Sequence, residues 1–468
     1  MKNSIFFLVI LIVMSACNSQ KAETDKKTQK KPNIVLIVAD DLGYMDLGSY
    51  GNTYFESPNL DRLSDKGIRF TNTYSASHVC SPTRSSFLTG RYPARTGVTN
   101  YIYGTKTVES SPVLPAKSAD RLPLEEITIA EELKKQNYVT GLMGKWHLGE
   151  NTSFGESDPE FQGFDHTIGF DFELLPVNGG YEWYKIGDTS KIYKLPEITQ
   201  SITKNSVEFI EQHKDTSFFL MVSHFAVHLP LQGDSTEIEY FKNKTNPKPD
   251  EYNPVYASMI KQLDTSVGDI MKSLKANNLL ENTIVIFISD NGGLAMGEAG
   301  SQPTTNAPYR SGKGTMYEGG IKIPMIAFWK NHTETGVINN SIISTVDIFP
   351  TLLSFANAEA SNEKVIDGEN MKYAFLSDTL INRDDIYFHY PHFSNQGGRP
   401  ASAIRNSRYK LIEFLEDGKL ELYDIIEDPY ETTNIASNQK EITTALHEKL
   451  LDWRENVNAN MPIRKDEK

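Results

Sequence analysis

The sequence predicts an α/β fold: a large, mostly parallel sheet flanked by helices, with a smaller C-terminal subdomain holding a short antiparallel sheet and a helix. Three observations carry this. Helical patterns alternate with short apolar runs along most of the chain, as in layered α/β proteins. The stretch "PNIVLIVADD" (residues 32–41) is continuously apolar up to two aspartates, the pattern of a strand buried on both faces. Polar residues also gather just past several such runs: Asp40 and Asp41, Lys145 and His147, His228, Asp290 and Asn291. Open α/β sheets bind ligands beyond the carboxyl ends of their strands.

Taken in order, the chain starts with "MKNSIFFLVILIVMSAC", which has a positive start, an apolar run too short for an ordinary transmembrane helix, and small residues before Cys17. Met-Ser-Ala-Cys resembles the lipobox of bacterial lipoproteins. Residues 1–16 then read as a signal peptide and Cys17 as a lipidation site; an ordinary secretory signal is the alternative. Residues 17–31 form a polar tether without apolar periodicity. The expected location is the bacterial cell envelope, lipid-anchored to a membrane and facing the periplasm or the cell surface.

After the strand at 32–41, "TIAEELKKQNY" opens with a Thr-x-x-Glu capping box and reads as a helix. It leads into "VTGLMGKWH", a strand candidate in which Lys145 and His147 would point the same way. Helical stretches near 199–213 and 252–277 precede the apolar "FFLMVSHF" and "TIVIFISDN". The Gly/Pro/Asn-rich residues 291–320 are expected to form a long loop lining the site. "IKIPMIAFW" is a further strand, and "STVDIFPTLLSFA" a helix with Pro350 near its start. From about residue 375, "RYKLIEF" and "KLELYDI" suggest short antiparallel strands and "QKEITTALHEKLLDWRENV" a helix. The catalytic domain is accordingly expected over 32–374 and the subdomain over 375–468.

The 39% hydrophobic and 10% aromatic content supports a sizeable core. A formal charge of −14 argues against a general affinity for nucleic acid. It does not exclude an anionic substrate, because cations can be concentrated locally. Only two cysteines occur. With Cys17 committed to a lipid, Cys80 has no partner and is a structural thiol, a reactive thiol or a chemically converted residue.

In "CSPTRSSFLTGR", Ser81 can cap a helix, Pro82 can take its first position and Gly90 can end it. Cys80 would then sit just before a helix N-terminus, where partial positive charge favours an anion. Arg84 lies about one turn on, able to reach back. A buried structural cysteine is the plain alternative. Asp40, Asp41, Asp290 and Asn291 supply only oxygen, which suits a hard cation such as Ca²⁺ or Mg²⁺. Adjacent carboxylates in a near-neutral core repel one another unless a cation lies between them. Solvated strand-end aspartates would explain either pair alone, but not both. Lone histidines default to surface or hydrogen-bonded roles. His224, His389 and His392 stay near that reading, with a substrate subsite as the other one for the last two.

"CSPTRSSFLTGRYP" resembles the signature of the type I sulfatases, within the alkaline phosphatase superfamily. Their second signature appears here as "NYVTGLMGKWHLG", and the likeness runs from "PNIVLIVADDLGY" through "SDNGG" and "GGIKIPMIAFW" to "LYDIIEDPYETTNIA". The resemblance implies an alkaline-phosphatase-like sandwich. It also implies that a maturation enzyme oxidises Cys80 to Cα-formylglycine (3-oxoalanine), guided by Pro82 and Arg84. One Ca²⁺ would be held by Asp40, Asp41, Asp290, Asn291 and residue 80. Lys145, His147, His228 and Lys313 match the family's sulfate-binding and proton-transfer positions.

By that resemblance, one hydroxyl of the hydrated formylglycine attacks sulfur in line, its ionised form favoured by the metal and Arg84. Ca²⁺, Lys145 and Lys313 would stabilise charge on the sulfuryl oxygens. His228, with Lys313, would protonate the leaving alcohol. His147 would take a proton from the second hydroxyl, expelling sulfate. An extra serine of the family has no clear counterpart; Glu173, in "QGFDHTIGFDFELLP", stands where it would be sought.

The expected activity is hydrolysis of sulfate esters on oligosaccharides from a sulfated polysaccharide, algal (ulvan, carrageenan, fucoidan) or animal glycosaminoglycan. The acidic, Asn- and Lys-rich composition leans toward ulvan. Expected partners are that substrate, the maturation enzyme and a membrane through the lipid anchor, with no nucleic acid. The alternatives are a phosphomonoester or phosphodiester hydrolase of the same superfamily and a non-catalytic glycan-binding lipoprotein.

Overall fold

The apolar run at residues 33–39 is the central strand of an eight-stranded sheet, buried at every position. In the computed structural model the described residues are 31–467, apart from 105, 150–154, 178–179, 297–301 and 362. The signal peptide, Cys17 and all but the last residue of the tether lie outside them. Among the described residues no helix is long and apolar enough to cross a membrane.

The main-sheet strands are β1 (Asn33–Ala39), β2 (Ile68–Phe70), β3 (Val139–Gly144), β4 (His166–Ile168), β5 (Phe218–Ser223), β6 (Thr283–Ser289), β7 (Met325–Trp329) and β8 (Val337–Asn339), in the order β8-β2-β7-β6-β1-β5-β3-β4. The block β6-β1-β5-β3-β4 is parallel throughout, and β7 runs antiparallel to both β6 and β2. β7 is shorter than "IKIPMIAFW" suggested. Ile321 ends a one-turn helix and the chain becomes a sheet strand only at Met325.

Alternation along β1 feeds two cores. Val35, Ile37 and Ala39 pack under three helices, α1 (Pro58–Lys66), α4 (Leu195–Gln212) and α5 (Pro254–Ala276). Ile34, Leu36 and Val38 pack under α2 (Cys80–Thr89), α3 (Ile129–Lys135) and α6 (Ile348–Phe355). Each fully buried aliphatic side chain contributes roughly 1.5–3 kcal/mol, so a continuous apolar strand is what a sheet covered on both faces requires. The capping box before α3 forms as read: Thr128 accepts from the Glu131 amide while the Glu131 carboxylate accepts from the Thr128 amide.

The C-terminal part contains more sheet than its two legible strands. Strands β9 (Ile386–Tyr390), β10 (Ala401–Arg405), β11 (Tyr409–Phe414) and β12 (Lys419–Asp424) form one antiparallel sheet. Helix α7 (Lys440–Asn456) covers one face through Leu446 and Leu450. The other face packs Phe388, Ala403 and Ile412 on Tyr74 and Val79, directly behind the start of α2. Residues 32–468 form one compact unit.

Candidate active site

Parallel register brings the strand ends together. Ala39 lies beside Ser289, Val38 beside Ser223, and Ser223 beside Gly144. Asp40 and Asp41, Asp290 and Asn291, and Lys145 therefore leave the sheet at one edge. Gly144 is required there. Its φ is 106°, and a Cβ would stand 1.9 Å from the Ser223 carbonyl oxygen. This turn ends β3, so Lys145 and His147 are not strand neighbours as the sequence suggested. His147 takes a left-handed φ of 57°, and Asp41 one of 62°, backbone states that a fold keeps only where the surroundings hold them.

Helix α2 is polar in sequence yet buried at all ten positions. Its hydroxyls make that tolerable by bonding locally: Thr83 to Ser77 O (2.9 Å), Ser85 to Pro82 O (2.8 Å), Ser86 to Thr83 O (2.7 Å) and Thr89 to Ser85 O (2.7 Å). Phe87 and Leu88 enter the core, and Gly90 ends the helix at φ 69°. Ser81 is not the cap. The cap position is Val79, Cys80 is the first helical residue, and the Ser81 hydroxyl instead accepts from the Ile102 amide at 3.0 Å. The result still sets Cys80 at the helix N-terminus.

There Cys80 Sγ lies 3.3 Å from Asp40 Oδ1 and 3.8 Å from Asp41 Oδ1. Asp40, Asp41, Cys80 and Asp290 converge so that one ligand atom from each falls within 4.8 Å of the others, all buried. Arg84 donates to Asp290 Oδ2 through Nε (3.0 Å) and Nη2 (2.7 Å), and through Nη1 to Lys145 O and Ser223 Oγ. It is thus a clamp on the strand ends, with Asp40 Oδ1 at 3.9 Å, more than a reach back to residue 80. Lys145 Nζ lies 2.6 Å from Asp40 Oδ2, Lys313 Nζ 2.7 Å from Asp41 Oδ2, and His228 Nε2 3.6 Å from Asp41 Oδ2. Of the ten site residues read from the sequence within the described part, nine converge around one centre, and the tenth, His147, lines the adjacent cleft with Lys145 and His228.

Burial alone would raise Asp40 and Asp41, but Lys145 and Lys313, each helped by His228, outweigh it and hold both carboxyls below the ordinary value. Asp290 goes the other way: burial and Asp40 raise it despite Arg84. Burial, Asp290 and Asp40 push the Cys80 thiol well up, so it is held protonated. Burial and then Lys145 push His147 well down, which keeps its imidazole neutral. Asn291 donates to Asp41 Oδ1 at 2.8 Å, yet its own Oδ1 is buried without a partner. An orphaned carbonyl beside three buried carboxylates is a donor set for a hard cation, and the residues fit one.

Lys145, His147 and His228 border a cleft of about 110 Å³ walled by Phe172, Trp183 and Phe225, with Glu173 on its lining. The strands Phe172–Val177 and Gly180–Lys185 of a three-stranded meander supply that wall. The loop after β6 carries Lys313 and closes on the strand ends, Lys313 N donating to Gly293 O at 3.0 Å.

The other histidines lie elsewhere. His224 shares a hydrogen bond with Ser266, His392 with Thr99, and His389 with both Ser402 and Asn460 O. Ser223 and Ser289 were missed by the sequence reading. Ser289 accepts from Leu42 N and donates to Asn291 O, tying the segments that follow β1 and β6 together. Their signal was a serine closing each apolar run, "FFLMVS" and "TIVIFIS".

A family model described as Sulfatase matches residues 32–358, and one described as N-sulphoglucosamine sulphohydrolase, C-terminal, matches residues 311–456. The chain is 29% identical to a sulfatase of Formosa agariphila, covering 92% of this chain and 90% of that one. It is 32% identical to human N-acetylgalactosamine-6-sulfatase over 76% of this chain and 68% of the other. Among solved structures, Ps i-CgsB superposes with a TM-score of 0.74 at 28% identity, over 91% of this chain and 93% of that one. It was also solved in complex with k-i-k-neocarrahexaose.

Proposed function

The chain belongs to the sulfatase family and is a sulfuric ester hydrolase, and from that premise we propose that it cleaves sulfate esters of a sulfated carbohydrate through a formylglycine made from Cys80, with one Ca²⁺ bound. The observation that carries the reading is the buried convergence of Asp40, Asp41, Asp290 and Cys80 at the N-terminus of α2. As a thiol, Cys80 is a poor nucleophile. Burial and two carboxylates oppose its ionisation, and the thiolate is the reactive form. Conversion to the aldehyde by a maturation enzyme reading Cys80, Pro82 and Arg84 removes that conflict, because the hydrate presents hydroxyl oxygens where the sulfur stands.

Asp40, Asp41, Asp290 and the free Asn291 Oδ1 would hold Ca²⁺, with residue 80 alongside. When bound, it supplies positive charge against the developing negative charge on sulfate oxygens. Lys145 and Lys313 bring two further ammonium groups to the same point, each already drawn in by a carboxylate. Arg84 holds Asp290 and the β3 and β5 ends in place. His228 Nδ1 faces the Leu229 carbonyl at 2.7 Å; a carbonyl only accepts, so the proton sits on Nδ1. Nε2, facing Asp41 Oδ2 at 3.6 Å, is then the atom that would take the second proton of an imidazolium and pass it to the leaving alcohol. His147 is held neutral, and its buried Nδ1 has no partner, which suits it to accept a proton from the second hydroxyl.

The Ps i-CgsB complex and the named specificity of the human relative support a saccharide leaving group. Algal polysaccharide, ulvan foremost, is the substrate class proposed, with glycosaminoglycan the alternative. Lipidation at Cys17 and a cell-envelope location facing periplasm or surface complete the reading, together with a subdomain boundary near residue 375. Sulfate release from defined oligosaccharides of ulvan, carrageenan, fucoidan and glycosaminoglycan, with paired aryl sulfate and aryl phosphate, tests it. Preference for aryl phosphate would replace the reading with a phosphoester hydrolase. No release by native-host protein, with intact mass showing unmodified Cys80, would replace it with a glycan-binding protein.

A further inference from the structure

A second cationic pocket lies away from the reaction centre, between the edge of the main sheet and the C-terminal sheet. It is a cavity of about 300 Å³ whose lining includes Tyr74, Glu318, Lys322, Asn382, Arg383 and Arg405. Among the described residues, none proposed for the active site lines it. Three of the lining residues are cations that are nine-tenths or more buried: Arg405 3% exposed, Lys322 7% and Arg383 9%.

Their charges are unequally met. Arg383 is paired with Asp347. Glu318, the one carboxylate in the lining, is held by the buried Lys410 at 3.2 Å and by the Tyr74 hydroxyl at 2.8 Å, leaving Lys322 at 3.9 Å. Lys322 donates to Asn72 Oδ1 at 3.2 Å and is otherwise surrounded by the rings of Tyr44, Tyr74 and Tyr309, 5.2–5.5 Å away. Arg405 makes no ion pair among the described residues. Its Nη1 donates to the neighbouring Asn406 carbonyl, its guanidinium lies over the Tyr74 ring at 4.6 Å, and its Nε is buried with no acceptor. Glu318 is its counter-charge but lies beyond ion-pair distance, and a buried guanidinium with an unmet donor is costly unless something accepts from it. Burial also drives Lys322 down to about 8, with Arg405 and Lys410 adding to it and Glu318 opposing.

We propose that this pocket binds a small oxyanion of the sulfate class, with the Arg405 guanidinium and the Lys322 ammonium supplying charge and hydrogen bonds. The ligand chemistry is shared by free sulfate and by a sulfate group on a saccharide. Planar donors of arginine suit tetrahedral oxyanions, and the three tyrosine rings exclude water from the Lys322 side.

The test soaks crystals of the mature protein with selenate for its anomalous signal and titrates inorganic sulfate calorimetrically. Two anion positions are expected, one at the reaction centre and one beside Arg405. Arg405→Gln should weaken the second by at least about tenfold while aryl sulfate turnover changes less than about twofold. Asn382→Asp, at an exposed rim position, adds repulsion without disturbing the interior and should weaken it several-fold, which keeps the test valid if the Arg405 variant folds poorly. A monosulfated monosaccharide as a parallel probe separates the sources: binding beside Arg405 identifies saccharide-borne sulfate, and binding of inorganic sulfate alone identifies the free ion. Selenate found only at the reaction centre, or equal affinity in wild type and both variants, overturns the proposal.

Discussion

Two clusters of buried charge sit within this molecule, and they are built on different plans. At the ends of β1 and β6, Asp40, Asp41 and Asp290 meet Arg84, Lys145 and Lys313, with Asn291 Oδ1 and His147 Nδ1 left unpaired. Behind the C-terminal sheet, Lys410 sits fully buried between Glu318 (3.2 Å) and Glu431 (2.8 Å), while Glu431 also accepts from the Glu318 amide at 2.7 Å. The first cluster holds three carboxylates around one point, whereas in the second a single ammonium bridges two carboxylates and Tyr74 also donates to Glu318. Buried charge alone therefore does not mark a reaction centre. Left-handed backbone does not mark one either, since Glu431 has a φ of 56°; three carboxylates and Cys80 converging within 4.8 Å beside an unpaired Asn291 Oδ1 set the first cluster apart.

The largest effect expected from this difference is a loss of chemistry without a loss of fold. Cys80→Ala removes one buried sulfur, worth about 1 kcal/mol of packing, and should abolish sulfate release, by more than about a thousandfold. Sulfate release and thermal unfolding measured on one preparation check both halves. Unfolding of the variant would mean that Cys80 is structural. Lys410→Met is the converse. It removes the cation that bridges Glu318 and Glu431, leaving Lys322 at 3.9 Å from Glu318, and should cost about 3–5 kcal/mol in denaturant unfolding, while turnover per folded molecule stays near wild type. If that variant loses turnover and keeps its stability, the two clusters are not separable in this way.

The contrast also explains what could be read in advance. The first cluster was legible because each member follows an apolar strand or stands in a short motif, so one-dimensional neighbours report three-dimensional convergence. The second was not. Glu318, Lys410 and Glu431 lie on a one-turn helix, a strand and a loop, far apart in sequence, and only the tertiary fold brings them together. β9 and β10 escaped notice for a related reason. Their runs, "IYFHY" and "ASAIR", are short and carry a buried histidine or arginine, so neither length nor apolarity signals a strand. Ser81 was misplaced as a cap because capping residues are inferred from type, and here the Ile102 amide claims its hydroxyl. Lys145 and His147 still border one cleft although the strand reading failed, since Gly144 turns the chain at the sheet edge rather than inside it.

Removing the cation should sharpen the comparison further. Chelation of mature protein is expected to lower stability, by about 2.7 kcal/mol relative to Ca²⁺ held at a hundredfold over its dissociation constant, and to stop turnover. Re-addition of Ca²⁺ should restore both, and Mg²⁺ should do so less well if the site is as proposed. The same chelation applied to Asp290→Asn should produce a smaller change, because a ligand charge is already gone. Lys410→Met should respond like wild type, its cluster having no part in holding the ion. Thermal scans with and without chelator measure all three.

The smallest effect separates the two regions by pH. His389, on β9, is buried between Ser402 Oγ at 2.8 Å and the Asn460 carbonyl at 2.9 Å, and burial pushes it down to about 4. The carbonyl can only accept, so Nε2 carries the proton and Nδ1 accepts from Ser402; a second proton would have nowhere to go. Above the unfolded value near 6.5 both states are neutral at this site, and its contribution to stability is complete. As pH falls below 6.5 the unfolded chain takes up a proton that the folded chain refuses, so stability drops until about pH 4, where the folded imidazole also charges. The loss over that window is on the order of 1–3 kcal/mol. His389→Gln keeps one donor and one acceptor but cannot titrate. The stability difference between it and wild type, followed by denaturant unfolding from pH 7.5 to 4, should therefore narrow as the pH falls. Turnover of the two proteins, compared where both are folded, should follow the same pH profile, because His389 belongs to the C-terminal sheet and not to the strand-end cluster. A pH-independent stability difference would show that His389 titrates in the fold as it does in the unfolded chain, and a shifted activity profile would join the two regions electrostatically.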